Sequence, residues 1–524
     1  MPFYPLLFAA YPVLLLYSGN VTEVPVTDLL VVLATVLVGT TIGLVLFSVL
    51  FRSVNRAAIV VATIVTGALL FAHLRDAVSP FLPYDTVVWP ERPHDRHVWL
   101  GLTLVPAWAA MVVIATYLAV RLRARLSRVT ETLNVVSVVL TALVFVPILT
   151  STHVTTTEGK LDGRGVVATS AGARAGRDIY HFVFDRYGSG ASLEAGYGLD
   201  NDAFVAWLED AGFQVVEDAR ANYVRTTESL ASTFDMALLD ELAETMGPSS
   251  ADPNPLYDRI QQNPAAALLQ TLGYRYFHVG SWWAWTAQSS IADHSVQPRF
   301  QVSFASTVLD NSILPWLRAL ATAFGLPGSV QPGNQYAQTT QAQFEAVRAV
   351  VDEPGPKLVF AHFMVPHPPY LFLEDGTVAP DVATYETQLA YTNAKIRQLL
   401  TPLLAFPIDE RPIILLQADE GPRPPRYEAD LAAFDWSKAT DAERVMKFGV
   451  LDAMYLPGPE GEAALPPGLS LVNTYPEILS RYFDIVVPRS PDRSFTSPEG
   501  RPYDLSDITD RLDEAEERLK SSPG

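Results

Sequence analysis

The chain has 524 residues, 49% of them hydrophobic, and carries 57 acidic against 37 basic side chains for a net charge of −20. An acidic balance of that size argues against nucleic acid or another polyanion as partner, because like charge repels it. There is no cysteine, which excludes thiol catalysis, thiolate metal sites and disulfides; an exterior domain must then rest on its own core.

Apolar runs fill Phe3–Tyr17, Leu29–Phe51, Ala57–Leu74, Leu100–Val120 and Leu133–Thr150, and none of that length follows. A bilayer crossing needs about 20 apolar residues. Four runs meet that length; the first is short and carries Pro12, but it lacks the basic flank and cleavage site of a signal peptide, so it counts as a fifth span. Arg52 and Arg56 lie between spans two and three, and Arg121, Arg123, Arg125 and Arg128 between spans four and five. The positive-inside rule makes both loops cytoplasmic, and an odd number of spans puts everything after Thr150 outside. The acidic excess lies in that exterior part.

Residues 151–177 are rich in Ser, Thr, Gly and Ala without a period, the composition of a linker. Beyond them, strand and helix patterns alternate. Ile179–Phe184 reads as a central strand ending at Asp185. "AFVAWLEDAGF" is an amphipathic helix, and helical spacing resumes near Thr226. "GYRYFHVGSWW" is a strand with His278 near its end. "KLVFAHFMVPHPPY" is a strand that breaks into a proline-rich loop containing His367. "PIILLQADEG" is a strand surfacing at Asp419 and Glu420. The alternation predicts an α/β/α sandwich around a mostly parallel sheet, a fold that places ligands at the carboxyl ends of strands. The predicted domains are 1–150 in the membrane, a linker over 151–177, a catalytic domain over 178–490 and a polar tail over 491–524.

Read residue by residue, each candidate has a plain alternative. Thr226 is an N-cap or a nucleophile at an anion-binding helix N-terminus. Asp185 caps its own turn or binds a cation. His367 orders its loop or meets substrate. His362, on an apolar strand, reads as a satisfied core histidine. Trp282 and Trp283 line a pocket or face the membrane.

The series "DIYHFVFDRYG", "YGLDNDAF", "NYVRTTESLAS", "GYRYFHVGSWW", "AHFMVPHPPY", "QADEGP", "KFGVLDAMYLPG" and "VNTYPEILSRYF" resembles, in this order, a membrane-anchored sulfatase-like family of the alkaline phosphatase superfamily. That family is related to lipoteichoic acid synthases and phosphoethanolamine transferases, and the likeness spans roughly residues 178–490 together with the five-span anchor. The resemblance implies a Thr nucleophile at Thr226, one divalent metal ion on Asp185, Thr226 and Asp419, and substrate contacts from His278 and His367. The strand-end position of Glu420 makes it a further ligand, or else it turns away to Arg423 or Arg426. Relatives usually carry His where Glu420 stands. An all-oxygen donor set favours manganese or magnesium over zinc. Sulfatases that make formylglycine need Cys or Ser where this chain has Thr226, so sulfate ester hydrolysis is disfavoured. The implied reaction is phosphotransfer or phosphodiester hydrolysis at the outer membrane face, on a lipid head group or envelope glycan. A catalytically silent envelope scaffold with the same fold, or a plain sulfatase-like hydrolase, is the alternative.

Overall fold

The computed structural model describes residues 1–18, 26–78, 93–121, 126–150, 167–168, 176–298, 304–323, 334–431 and 433–521. The expected linker lies largely outside them. The chain forms two compact units, one of Met1–His153 with Val302–Gln331 and the other of Val154–Gln301 with Pro332–Gly524.

The first unit holds helices α1 (Tyr4–Ser18), α2 (Val26–Phe51), α3 (Val54–Leu69), α4 (Phe71–Val78), α5 (Pro93–Arg121) and α6 (Leu126–Thr150). Among the described residues, three stretches are long and apolar enough to cross a membrane: Val26–Phe51, Leu104–Arg121 and Leu126–Val146. Tyr4–Ser18 and Val54–Leu69 are shorter apolar helices. Together they account for the five expected spans. The third run is broken at Leu70, where α3 ends and α4 begins. Two further helices, Phe304–Asp310 and Leu314–Ala323, belong to this unit although they lie far along the chain. Their apolar residues give no such indication in sequence, because short amphipathic helices look alike whether they cover a sheet or a bundle.

The second unit is built on a seven-stranded sheet of β1 (Ile179–Phe184), β2 (Gln214–Val215), β3 (Arg275–Val279), β4 (His294–Val296), β5 (Lys357–Phe363), β6 (Ile413–Gln417) and β7 (Asp452–Tyr455). The order is β2-β7-β6-β1-β5-β3-β4. Strands β6, β1, β5, β3 and β4 run parallel, and β7 is antiparallel to both β6 and β2. Strands β1, β5 and β6 are buried along their whole length, as the continuous apolar runs require of central parallel strands. Register pairs Val183 with both His362 and Gln417. The carboxyl ends of three neighbouring strands therefore stand side by side at the middle of the sheet.

Helix α7 (Thr226–Asp235) packs against this edge, followed by α8 (Asn334–Val350) and α9 (Asp441–Phe448). The residues expected as a polar tail are integrated in this unit. Phe495 stacks on Tyr223 at 5.4 Å, and the helix α10 (Thr509–Ser521) buries Leu512 and Ala515. Arg220 pairs with Glu516 and Asp513 at 2.7 and 2.6 Å, so charge as well as packing holds the segment down.

Candidate metal and nucleophile site

Asp185 follows β1, His362 is the penultimate residue of β5, and Asp419 follows β6 by one residue. One ligand atom from each lies within 4.8 Å of the others, and all three residues are buried. His362 Nε2 stands 3.4 Å from Asp185 Oδ2. Asp185 Oδ1, His362 Nε2 and Asp419 Oδ2 have no hydrogen-bond partner. Leaving three polar atoms buried and unpaired in one place is costly unless a cation joins them.

The surrounding hydrogen bonds determine which face His362 offers. Its Nδ1 meets Thr286 Oγ1 at 3.0 Å, Thr286 Oγ1 meets Ser281 Oγ at 2.8 Å, and Ser281 Oγ donates to the Trp283 carbonyl at 3.2 Å. In the arrangement where Ser281 donates to that carbonyl, Thr286 donates to Ser281 and accepts from Nδ1–H. His362 Nε2 then carries a lone pair facing two carboxylates. Three acceptors pointing at one another repel; a divalent cation among them turns that repulsion into coordination, with Thr286 as the partner that orients the imidazole. The donor set thus fits a metal. His362, expected to be a satisfied core residue, is satisfied on only one side, and no local pattern distinguishes the two cases.

Thr226 is the first residue of α7, at the end of the helix where the first-turn N–H groups lack an intrahelical acceptor. Its hydroxyl interacts with the Asp419 carboxylate. The neighbouring hydroxyls are engaged elsewhere: Thr227 with the Glu228 carboxylate, and Ser229 donating to the Asp419 carbonyl at 2.6 Å. A brace secures the helix start, since Arg225 reaches Glu228 at 2.8 Å and Ser497 at 2.6 Å. Of the three hydroxyls in "TTES", Thr226 alone meets the carboxylate group.

Glu420 is placed differently from the expectation. Its Oε1 pairs with Arg186 Nε at 3.0 Å and Lys447 Nζ at 2.9 Å, all three side chains being buried. It is not among the three grouped ligand residues. Two devices bring the cations in. Arg186 adopts a left-handed φ of 62°, which turns the chain sharply after Asp185. Gly421 lies so close to α9 that a Cβ would collide with the Met446 and Lys447 carbonyl oxygens. Lys447 also donates to the Gly421 carbonyl at 3.1 Å.

His278 is level with Phe360 of β5, two residues before His362. It donates from Nε2 to the Thr286 carbonyl at 3.0 Å and meets the Tyr276 hydroxyl through Nδ1 at 3.1 Å. Both nitrogens are used inside the protein, so the expected substrate contact is replaced by a supporting one: His278 holds Thr286, which holds His362. His367 is half-buried, its Nδ1 lies against the Pro368 carbonyl, and its own carbonyl accepts from Gln388 at 2.8 Å. Trp282 meets the His367 ring edge-on at 6.1 Å, and Trp283 meets His362 likewise at 5.7 Å. Both tryptophans therefore line this site.

Charge follows geometry. Burial, then Asp185 and Glu420, push the Asp419 carboxyl up to about 7. Burial works in the same direction on Asp185, but His367 and His362, where protonated, and the Arg186 guanidinium hold its carboxyl well below the usual range. Against its own burial, Glu420 is held low by Lys447 and Arg186. Burial, then Arg186, lowers the His367 imidazole to about 3, so the ring is neutral.

No family model matches the sequence, and no curated relative does. Among solved structures, the chain is similar to the integral membrane protein lipooligosaccharide phosphoethanolamine transferase A (EptA) from Neisseria meningitidis, at 13% identity and a TM-score of 0.40, over 91% of this chain and 95% of that one. It is also similar to a protein in the alkaline phosphatase superfamily from Vibrio parahaemolyticus, at 11% identity and a TM-score of 0.38, over 64% of this chain and 79% of that one. A third likeness is to the 2-O GAG sulfatase BT1596, at 12% identity and a TM-score of 0.38, covering 60% and 72% of the two chains.

Proposed function

We propose that the protein is a membrane-anchored phosphotransferase or phosphodiester hydrolase that works outside the cytoplasm through Thr226. The observation that carries this reading is the three unpaired, buried ligand atoms of Asp185, His362 and Asp419, with the Thr226 hydroxyl on the same Asp419. Asp185, His362 and Asp419, with Thr226 beside them, would hold one divalent cation. When bound, it supplies Lewis acidity, lowering the pKa of an adjacent hydroxyl and offsetting charge on a phosphoryl oxygen. The preference for manganese or magnesium rested on an all-oxygen set; with the His362 nitrogen in the group, zinc and manganese become the better fits.

The chain's own groups divide the remaining work. Backbone N–H groups in the first turn of α7 receive phosphoryl oxygens. The Thr226 oxygen attacks phosphorus, its proton passing toward Asp419, while the bond from phosphorus to the leaving alcohol breaks and that oxygen takes up a proton. Water or a glycan hydroxyl then attacks phosphorus and releases Thr226. His367, neutral and with Nδ1 turned to a carbonyl, presents Nε2 as an acceptor for a substrate hydroxyl. Trp282 and Trp283 give that substrate an apolar wall. The anchor keeps the site near lipid, which makes a lipid head group or envelope glycan the substrate class.

The test is trapping. The full-length protein incubated with a chromogenic phosphodiester should release the chromophore and carry a phosphoryl or phosphodiester adduct on Thr226 by mass spectrometry. Thr226→Ala should lose both while keeping its bound metal. A metal-free wild-type protein that turns over nothing would favour the silent scaffold; activity retained by Thr226→Ala but lost by Ser229→Ala would move the nucleophile.

A further inference from the structure

The helices Phe304–Asp310 and Leu314–Ala323 leave the catalytic sequence and join the transmembrane unit. Phe304 and Val308 share a buried cluster with Tyr17 of α1, Leu29 and Val32 of α2, and Val144 of α6. Phe304 meets Tyr17 edge-on at 5.8 Å. Ile313 and Trp316 share another with Phe71 of α4 and Val105 of α5. The turn between the two helices is also hydrogen-bonded to the bundle. Ile313 N–H donates to the Ala68 carbonyl at 2.8 Å, and Ala72 N–H donates to the Asn311 carbonyl at 3.1 Å. Those are groups that the break between α3 and α4 leaves without a helical partner.

All these contacts lie at one end of the bundle. Arg52, between α2 and α3, and Arg56, in the first turn of α3, mark the cytoplasmic end by the positive-inside rule. Tyr17, Leu29, Ala68 and Val144 are at the opposite end of their helices, the end where a segment following Thr150 must sit. Among the side chains that do not pack on the bundle, Leu309, Leu314 and Leu317 are 45%, 36% and 38% exposed, beside the exposed charges of Asp310 and Arg318, so the outward side is amphipathic. They belong to the same unit as the lipid-length helices, whose outward residues, such as Val38 and Val113, are 59% and 66% exposed. Arg75 lies over the Trp316 ring at 5.3 Å, the cation–aromatic pairing suited to a membrane interface.

We propose that this helical hairpin is an interfacial membrane-binding element that caps the outer end of the bundle and places Leu309, Leu314 and Leu317 in the outer leaflet, at the boundary of head groups and acyl chains. An apolar face lying parallel to the surface gains burial there without spanning. The hairpin is inserted between β4 and α8, and α8 carries Tyr336, which packs on Trp282, and Gln343, which donates to the His362 carbonyl at 2.9 Å. The lipid contact is thus continuous in chain with the walls of the site. The inference stands whether or not that site turns over substrate.

The absence of cysteine makes the test direct. Single cysteines replace Leu309, Leu314 or Leu317 in the full-length protein, carry an environment-sensitive fluorophore, and are studied in phosphatidylethanolamine–phosphatidylglycerol vesicles. Val113→Cys serves as the lipid-facing reference and Ile408→Cys, on the catalytic unit, as the aqueous one. Each replaced leucine is exposed, so Phe304, Val308, Ile313 and Trp316 keep the packing. The expected result is quenching by doxyl-labelled lipid at all three positions, close to that at 113, with little quenching by aqueous iodide. Labels that behave like that at 408 would overturn the proposal. So would labels shielded from both quenchers and cross-linking between copies, which would make a second copy of the chain the occupant.

Discussion

Two carboxylates adjacent in sequence meet opposite environments. Asp419 turns toward Asp185 and His362 and keeps an unpaired oxygen, while Glu420 turns away and shares one oxygen between two buried cations. Asp419 is raised first by burial and then by the negative charge around it; Glu420, against the same burial, is lowered by positive charge. The first would be balanced by a cation from solution, and the second has two supplied by the chain. Each carboxylate keeps one buried oxygen without a partner, so the difference is one of charge: the other oxygen of Glu420 meets two cations of the chain, whereas Asp419 stands beside a second carboxylate.

The sharpest way to break this comparison is to exchange the roles. Asp419→Ala should leave the purified full-length protein without stoichiometric metal, read by elemental analysis, and turnover should fall by at least about 10³-fold, in line with loss of a main transition-state contact. Glu420→Gln should do the reverse, keeping its metal while losing stability. Removing one member of a buried ion cluster costs about 3–5 kcal/mol, read as a lowered thermal midpoint in detergent. Adding Lys447→Met to Glu420→Gln should recover part of that loss in a double-mutant cycle. If Glu420→Gln instead emptied the metal, the two carboxylates would share one role.

A smaller effect follows from the group that orients His362. Thr286→Val removes the acceptor of Nδ1–H and should weaken metal affinity about 10–100-fold, as loss of such partners does, while the protein stays folded. Titration with zinc and manganese measures it.

The pH dependence divides the pair again. The Asp419 carboxyl, pushed up to about 7, is partly protonated near neutrality and must lose that proton to bind a cation. Apparent affinity should therefore fall by roughly tenfold per unit as pH drops below about 7, with one proton released per metal bound. Calorimetry in buffers of different ionisation enthalpy counts that proton. Glu420, held low, should contribute no proton in this range.

The smallest effect concerns stability alone. Asp452 is buried with Oδ2 unpaired and its carboxyl pushed up to about 7 by burial. A raised carboxyl binds its proton more tightly when folded, so its contribution is greatest at low pH and is lost as pH rises from about 4 to about 7. Asp452→Asn should flatten the pH dependence of the thermal midpoint over that interval. An unchanged slope would remove Asp452 as its source.

Much of this was legible in the residues. Five apolar runs with arginines in alternate loops defined the anchor and its direction, because bilayer thickness and loop charge are read from local composition. Continuous apolar strands ending at Asp185 and Asp419 located the metal edge, because a parallel sheet must be dry inside and can place carboxylates only where its strands emerge. The position of Thr226 at a helix start was likewise local. What only the tertiary structure decided were the partnerships between distant residues. His362 looked like core until Thr286 was found on one nitrogen and two carboxylates on the other. Glu420 looked like a ligand until Arg186 and Lys447 were found on it. His278 looked exposed to substrate until both its nitrogens were found occupied. Residues 304–317 and 495–521 read as ordinary catalytic sequence and tail, yet one packs on the membrane helices and the other braces α7 and α9. Periodicity and composition report the environment along one segment, whereas a charge or hydrogen bond is satisfied by whichever group folding brings within about 3 Å, and that group is recorded nowhere near it in the chain.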